Sequence, residues 1–232
     1  MTEERLAALH AFEQNLSWSF QDISLLNNAL THRSFVNENP SLKCSDNERL
    51  EFLGDAVLEL VVTEYLYNNY SDPEGILTNW RSALVRTESI SAAANRNGFE
   101  PLLRLSRGEK RGSQRAREQI LANCYEAVVG ALYLEKGYEA TKDFISKTLL
   151  PTFDEILKSG SWMDPKSRLQ EVVQSKDGFT PVYKVLSEEG PDHDKVFVVG
   201  VFVNNTLKGE GNGPSKQAAQ VAAAAEALAH YQ

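Results

Sequence analysis

Cysteine is nearly missing from this 232-residue chain, which holds only Cys44 and Cys124. With no C-x-x-C spacing between them, a zinc framework and a disulfide scaffold are excluded, and a reducing cytoplasm is the expected setting. Cys124 lies in an apolar stretch and reads as a small core residue. Also missing is an apolar run long enough to cross a bilayer. The best candidate, Val57–Tyr67, is interrupted by Glu59 and Glu64 and falls short of the ~20 residues a span needs. The N-terminus, Met1-Thr2-Glu3-Glu4-Arg5, is charged and leads into no signal-peptide core. A soluble protein without a membrane partner is expected. Positive charge is in deficit, with 24 Lys and Arg against 32 Asp and Glu and a net charge of -8. That argues against general polyanion binding but leaves local patches open. Apart from an Ala-rich end there is no low-complexity segment, and no long internal repeat. The length suits one large domain or two smaller ones.

The chain is organised around Asn47-Glu48-Arg49-Leu50-Glu51-Phe52-Leu53-Gly54-Asp55-Ala56-Val57-Leu58, which opens an apolar run to about Tyr67. Leu50, Leu53, Val57 and Leu60 keep helical spacing, and the uninterrupted length predicts a helix of about five turns. At about 100° per residue, Glu51 stands roughly 60° from Glu48, and Asp55 only about 20° from it. The three carboxylates share one narrow face. A solvated acidic stripe near a helix N-terminus is the plain reading. Against it, like charges at these spacings repel, and no Lys or Arg stands at i+4 from Glu51 or Asp55. A hard divalent cation resolves such repulsion. Residues 120–134, Ile-Leu-Ala-Asn-Cys-Tyr-Glu-Ala-Val-Val-Gly-Ala-Leu-Tyr-Leu, repeat the design. Asn123 and Glu126 are i,i+3 neighbours there, so a metal held between two facing helices is one reading. Any acidic pair in a bundle is the other.

In order, residues 5–15 and 22–30 predict short amphipathic helices, the second capped by Asp22 or Ser24. Thr31-His32-Arg33-Ser34 follows, with His32 read as a structural hydrogen-bonder, and residues 37–40 as a loop. Residues 68–75 form a turn-rich break, Thr78 is a candidate cap for the next helix, and Thr87–Arg96 continues helical. Residues 105–117 carry Arg107, Lys110, Arg111, Arg115 and Arg117 around two glycines. This is either a solvated loop or a phosphate-contacting one. The second long helix ends near Lys136-Gly137, and another spans about 138–148. Residues 158–164 read as a linker. Beyond it the pattern predicts a helix at 166–174, strands at 181–186 and 195–203, and a turn at 190–194. Asn204-Asn205 predicts a hairpin into residues 206–209. A Gly-rich loop, 209–216, then opens a final Ala-rich helix to His230.

The NERLEFLGDAVL stretch resembles the signature helix of ribonuclease III. Thr31-His32-Arg33-Ser34, Glu74-Gly75 and the Glu126-Ala127 helix fall in the order that family shows. Residues 166–232 resemble its C-terminal double-stranded-RNA-binding domain, including Gly190-Pro191-Asp192-His193 and Gly209-x-Gly-x-Gly-x-Ser215-Lys216. The resemblance implies a multidomain chain. An all-α ribonuclease III endonuclease domain (1–157) and a linker (158–164) precede an α+β (α-β-β-β-α) double-stranded-RNA-binding domain (165–232). It implies a homodimeric hydrolase with Mg2+ as cofactor, Mn2+ able to substitute, and no small-molecule cofactor. By the family pattern the metal ligands are Glu51, Asp55, Asn123 and Glu126, with Asp55 and Glu126 catalytic. Glu48 and Glu74 match auxiliary acidic positions. Phe52 matches an apolar residue that enters the partner subunit. Mg2+ would polarise the scissile phosphate and activate a water that displaces the 3′ oxygen in line. The products are 5′-phosphate and 3′-hydroxyl ends with short 3′ overhangs. The substrates implied are ribosomal RNA precursors and other structured transcripts. The C-terminal domain would read duplex shape, through Gln170 and Glu171, through Pro191–His193, and through Ser215 and Lys216 at a helix N-terminus. Arg107, Lys110 and Arg111 are further candidate RNA contacts.

Two positions depart from that pattern. Asn123 stands where the family usually has Asp, which predicts weaker metal binding with activity retained. Gln217 stands where a second Lys usually follows Lys216, and residues 162–232 hold seven Lys or Arg against nine Asp or Glu. A modest duplex affinity with a shallow salt dependence is expected. The alternatives are a silent double-stranded-RNA-binding regulator, which only Asn123 favours, and an RNA-scaffold subunit, which would need a partner surface.

Overall fold

A computed structural model describes every residue except Ser17, Asp192–Asp194 and Gln232. The chain divides into two units, Met1–Ile156 and Leu157–Gln232.

The first unit is helical. Its elements are α1 (Glu3–Asn15), α2 (Ile23–Ala29), α3 (Arg33–Glu38), α4 (Glu48–Asn69), α5 (Glu74–Leu84), α6 (Thr87–Arg96) and α7 (Gln114–Thr148), and α8 (Phe153–Ser159) runs through the division at Ile156. The two long helices are the ones that the apolar spacing predicts. Their inner faces, Leu58, Val61 and Val62 on α4 and Ala127, Val128 and Ala131 on α7, are buried. They press together at two glycines. A methyl group at Gly54 would fall 1.8 Å from the Glu126 carbonyl oxygen, and one at Gly130 would fall 2.2 Å from that of Leu50. Only glycine permits this backbone approach. Gly137 adopts φ 77° inside α7, so the break expected at Lys136-Gly137 is a left-handed kink between two helical segments.

Several boundaries differ from expectation. α5 begins at Glu74, not after Thr78, because Pro73 with φ -58° leads directly into the first turn. Residues 33–38 are helical, with His32 as the cap that accepts from Ser34 N. Asp22 rather than Ser24 caps α2. The basic segment contributes a single 3-10 turn, Glu109–Arg111, and Arg115 and Arg117 lie on α7.

The second unit holds α9 (Pro165–Asp177), β1 (Val182–Glu189), β2 (Val196–Val203), β3 (Thr206–Gly213) and α10 (Lys216–Ala229). The strands form one antiparallel sheet in the order β1-β2-β3. Asn204 and Asn205, at φ 47° and 60°, make the tight hairpin turn. Leu169, Val173, Val201, Val203, Ala223 and Ala227 form the core. The Gly-rich residues 209–213 are strand, not loop. A methyl group at Gly211 would lie 2.1 Å from Ala223 N. The glycines are therefore what lets β3 meet the Ala-rich helix.

Candidate active site

α4 and α7 bring the four expected ligand positions to one crossing. Glu51 and Asp55 flank Gly54, the residue that touches the backbone of Glu126, and Asn123 lies one turn before Glu126. Glu51, Asn123 and Glu126 are half-buried, and Glu48 and Asp55 are exposed.

Electrostatics show how closely the acids are coupled. Burial pushes the Glu126 carboxyl up to about 8, and Asp55 and then Glu51 add to the shift. The pKa of Glu51 is also raised, first by burial and then by Glu48, with a smaller push from Asp55. A hydrogen bond from the Asn123 side chain opposes that rise. Among the described residues no three His, Cys, Asp or Glu side chains stand close enough together to hold an ion as they are placed. The donors are nevertheless hard oxygens whose charges raise one another's pKa, the chemistry that a divalent cation relieves.

Three supporting contacts were not expected from spacing. Arg33 Nη1 pairs with Glu48 Oε1 at 3.2 Å, so a cation from α3 compensates the acid farthest out on the stripe. Asn47 is buried and donates through Nδ2 to Ala29 O (3.1 Å) and Cys124 Sγ (3.2 Å), tying the start of α4 to α2 and α7. Burial pushes the Cys124 thiol up to about 12, which fits a core residue. Gln119 Nε2 donates to Asn123 Oδ1 at 2.7 Å. Only this last pair carries a local signal, an i,i+4 spacing of two amides on one helix.

Glu74 lies at the first turn of α5 and is exposed. Arg107, Lys110 and Arg111 are exposed, and their segment is moored to α3. Ser106 N donates to Ser34 Oγ at 3.1 Å, and Arg107 N donates to the Glu38 carboxylate. Phe52 projects from α4 at 83% exposure. It lines a hollow of about 870 Å³ together with apolar Leu25, Val36, Leu53 and Leu134 and polar Asp46 and Arg49.

In the second unit, Gln170 and Glu171 are exposed on α9. Ser215 Oγ caps α10 by accepting from Ala218 N at 3.1 Å. Lys216 Nζ pairs with Glu188 Oε1 at 3.0 Å and lies 5.5 Å from the Phe197 ring centroid. His193 lies outside the described residues.

A helical unit with an acidic helix crossing, followed by an α-β-β-β-α module, defines a nuclease joined to a duplex-RNA reader. The comparisons with known proteins agree. The description "Ribonuclease-III-like" matches residues 22–153, and "Double-stranded RNA binding motif" matches residues 165–231. Ribonuclease 3 of Enterococcus faecalis is 45% identical over 210 residues, covering 90% of this chain and 91% of that one. Ribonuclease 3 of Oceanobacillus iheyensis is 43% identical over 224 residues, covering 95% and 96%. The solved nuclease domain of ribonuclease III from Campylobacter jejuni matches with a TM-score of 0.56 at 40% identity. It covers 62% of this chain and 96% of that one. The chain belongs to the ribonuclease III family and is an endoribonuclease directed at double-stranded RNA. Among the described residues no helix is long and apolar enough to cross a membrane.

Proposed function

We propose that the chain is a Mg2+-dependent, homodimeric, cytoplasmic enzyme that cuts ribosomal RNA precursors and other structured transcripts. A nuclease domain through about residue 157, a linker over 158–164 and a duplex-binding domain from 165 divide the work. The carrying observation is the α4–α7 crossing, where Glu126 is held near pKa 8 by burial and by two further acids. Glu51, Asp55 and Glu126 would hold the cation with Asn123 as a neutral oxygen donor, and Mn2+ can replace Mg2+ in such a hard-ligand set. When bound, the metal supplies positive charge for the scissile phosphate and a water of lowered pKa. Arg33 fixes Glu48 beside this set, and Glu74 serves as an auxiliary acid. Arg107, Lys110 and Arg111 supply charge for the RNA backbone. No side chain need act as nucleophile, and 5′-phosphate and 3′-hydroxyl ends result. Phe52, exposed on the rim of a hollow of mixed polar and apolar lining, would supply apolar surface for a self-complementary two-fold contact between copies. The test is cleavage of a long labelled RNA duplex across a Mg2+ titration. Metal-dependent cleavage is expected. Duplex binding without cleavage at any Mg2+ or Mn2+ level would overturn the reading in favour of a silent RNA-binding protein.

In the C-terminal domain, Gln170, Glu171 and His193 would meet the minor grooves, and Ser215 and Lys216 a phosphate. The Glu188 carboxylate competes with that phosphate for Lys216. Glu188→Gln is therefore expected to raise duplex affinity about threefold, the scale of an exposed ion pair. It should also steepen the salt slope of binding by up to about one phosphate contact. Fluorescence anisotropy at several salt concentrations measures both. An unchanged affinity and slope would remove Lys216 from the interface.

A further inference from the structure

The sheet of the C-terminal domain has two unlike faces. α9 and α10 cover the face that carries Val201 and Val203. On the other face Leu186, Phe202 and Leu207 converge over Gly200. A methyl group there would lie 2.8 Å from Leu207 Cδ1, and 3.1 Å from both Leu186 Cδ1 and Phe202 Cε2. Leu186 and Leu207 are nevertheless 45% and 42% exposed, and Val182 beside them 52%. Clustered exposed aliphatic side chains of this kind mark an interaction surface.

The strand register decides what can cover it. Lys184, Gly200 and Glu210 form one row across β1, β2 and β3. Val182, Phe202 and Leu207 form a second row, and Ser187, Val198 and Asn212 a third. Residues paired in this way point to the same face. A two-fold axis in the contact plane, parallel to β2, lays β1 of one copy over β3 of another. Lys184 then meets the partner's Glu210, Val182 meets Leu207, Phe202 meets itself, and Ser187 meets Asn212. Opposite charges, apolar groups and polar groups are all matched. An axis across the strands would set Lys184 against Lys184. Among the described residues neither Lys184 nor Glu210 has an ion-pair partner in its own copy. Lys184 Nζ instead lies 4.9 Å from the Phe202 ring centroid, above the apolar centre.

We propose that this outer sheet face docks on the same face of a second copy of the chain, β1 over β3. Two Lys184–Glu210 pairs flank a shared centre of Leu186, Phe202 and Leu207. Three strands of eight residues each offer a face of about 400 Å² per copy. That is half of the ~800 Å² that each partner gives to a standard interface, so the contact is weak and reversible. It leaves α9 and the start of α10 open to RNA, because both helices lie on the other side of the sheet.

The test is carbodiimide coupling of the full chain, which joins an amine to a carboxylate in direct contact. Lys184→Arg keeps the charge but not the amine, and Glu210→Gln removes the carboxylate. Neither variant alone can form a 184–210 link. Co-expressed, they can form it only between copies, from Lys184 of one to Glu210 of the other. Mass spectrometry is expected to find that linked peptide in the two-chain band of the co-expressed pair and in neither variant alone. Leu207→Asp, added to both, is expected to lower its yield about tenfold, the scale of burying one leucine. Unchanged duplex affinity of the Leu207→Asp protein checks that the domain still folds. Absence of the 184–210 link from the co-expressed pair overturns the proposal, and so does a yield that Leu207→Asp leaves unchanged in the folded protein. Coupling of Lys184 to Glu188 or Glu189 of a second copy in place of Glu210 would mean that β1 edges pair, and overturns it as well.

Discussion

Gly54→Ala is expected to unfold the nuclease unit rather than merely slow it. The added methyl would lie 1.8 Å from Glu126 O, 2.6 Å from Glu126 C and 2.8 Å from Gly130 N. All three are backbone atoms, so no rotamer change makes room. α4 would have to lift from α7 along the buried faces of both helices, and with it Glu51 and Asp55 would leave Asn123 and Glu126. Overpacking against side chains costs about 1–3 kcal/mol. With backbone on the other side and core burial lost as well, a loss of at least about 4 kcal/mol is expected. Gly75 is the control. It is also helical, on α5, but a methyl there meets nothing within 4 Å, so Gly75→Ala should be neutral or slightly stabilising through helix propensity. Urea melts of both variants decide the matter. Gly54→Ala melting within about 1 kcal/mol of the parent would show that the crossing can open cheaply, and that the two glycines do not set the spacing of the acids.

How much of this was legible in the sequence depends on how local the determining interaction is. The apolar spacing of residues 50–66 and 120–134 is local, and it marks both core helices together with the narrow face that carries Glu48, Glu51 and Asp55. The order of elements after residue 165 follows equally well from alternation and turn residues. The glycines of 209–213 mislead, because glycine is ordinarily punctuation. Here each removes a Cβ that would strike α10, and that partner is known only once the sheet is built. α8 is hidden for a related reason: its seven residues, Phe153–Ser159, carry too few turns to show a period. Arg33 compensating Glu48 is invisible to any i+4 search, since it arrives from another helix fifteen positions away. The Gln119–Asn123 pair is different. Its spacing is readable, but a search for acids and metal ligands passes over a glutamine.

Glu126→Gln is expected to move activity and stability in opposite directions. The Glu126 carboxyl is raised from an ordinary 4.5 to about 8, by burial first and then by Asp55 and Glu51. A carboxyl whose pKa is higher folded than unfolded is stabilised in its protonated form. Its contribution to stability is complete below about pH 4.5 and is lost as pH rises through about 8. The metal-free protein should therefore melt progressively lower as pH rises between those limits. Glutamine keeps the neutral amide at every pH, so the variant should lose most of that slope and be the more stable protein at pH 8. Metal binding has the opposite demand, because a ligand carboxylate must give up its proton. In the parent, affinity should rise with pH up to about 8 and a proton should be released on binding near neutrality. The variant lacks the charge altogether, and cleavage should fall on the order of 10³-fold, the scale for an essential polar group of an active site. Duplex binding should be unchanged, since the substitution leaves both the C-terminal domain and the Arg107, Lys110 and Arg111 segment intact. Melting in EDTA from pH 5 to 8.5, beside cleavage in Mg2+, tests both halves. A variant with the parent's melting slope would mean that Glu126 is not the group strained by its neighbours, and cleavage within tenfold of the parent would remove it from the metal site. Gain of stability with loss of cleavage is the outcome expected of a carboxylate kept at a cost to the fold because the reaction needs its charge.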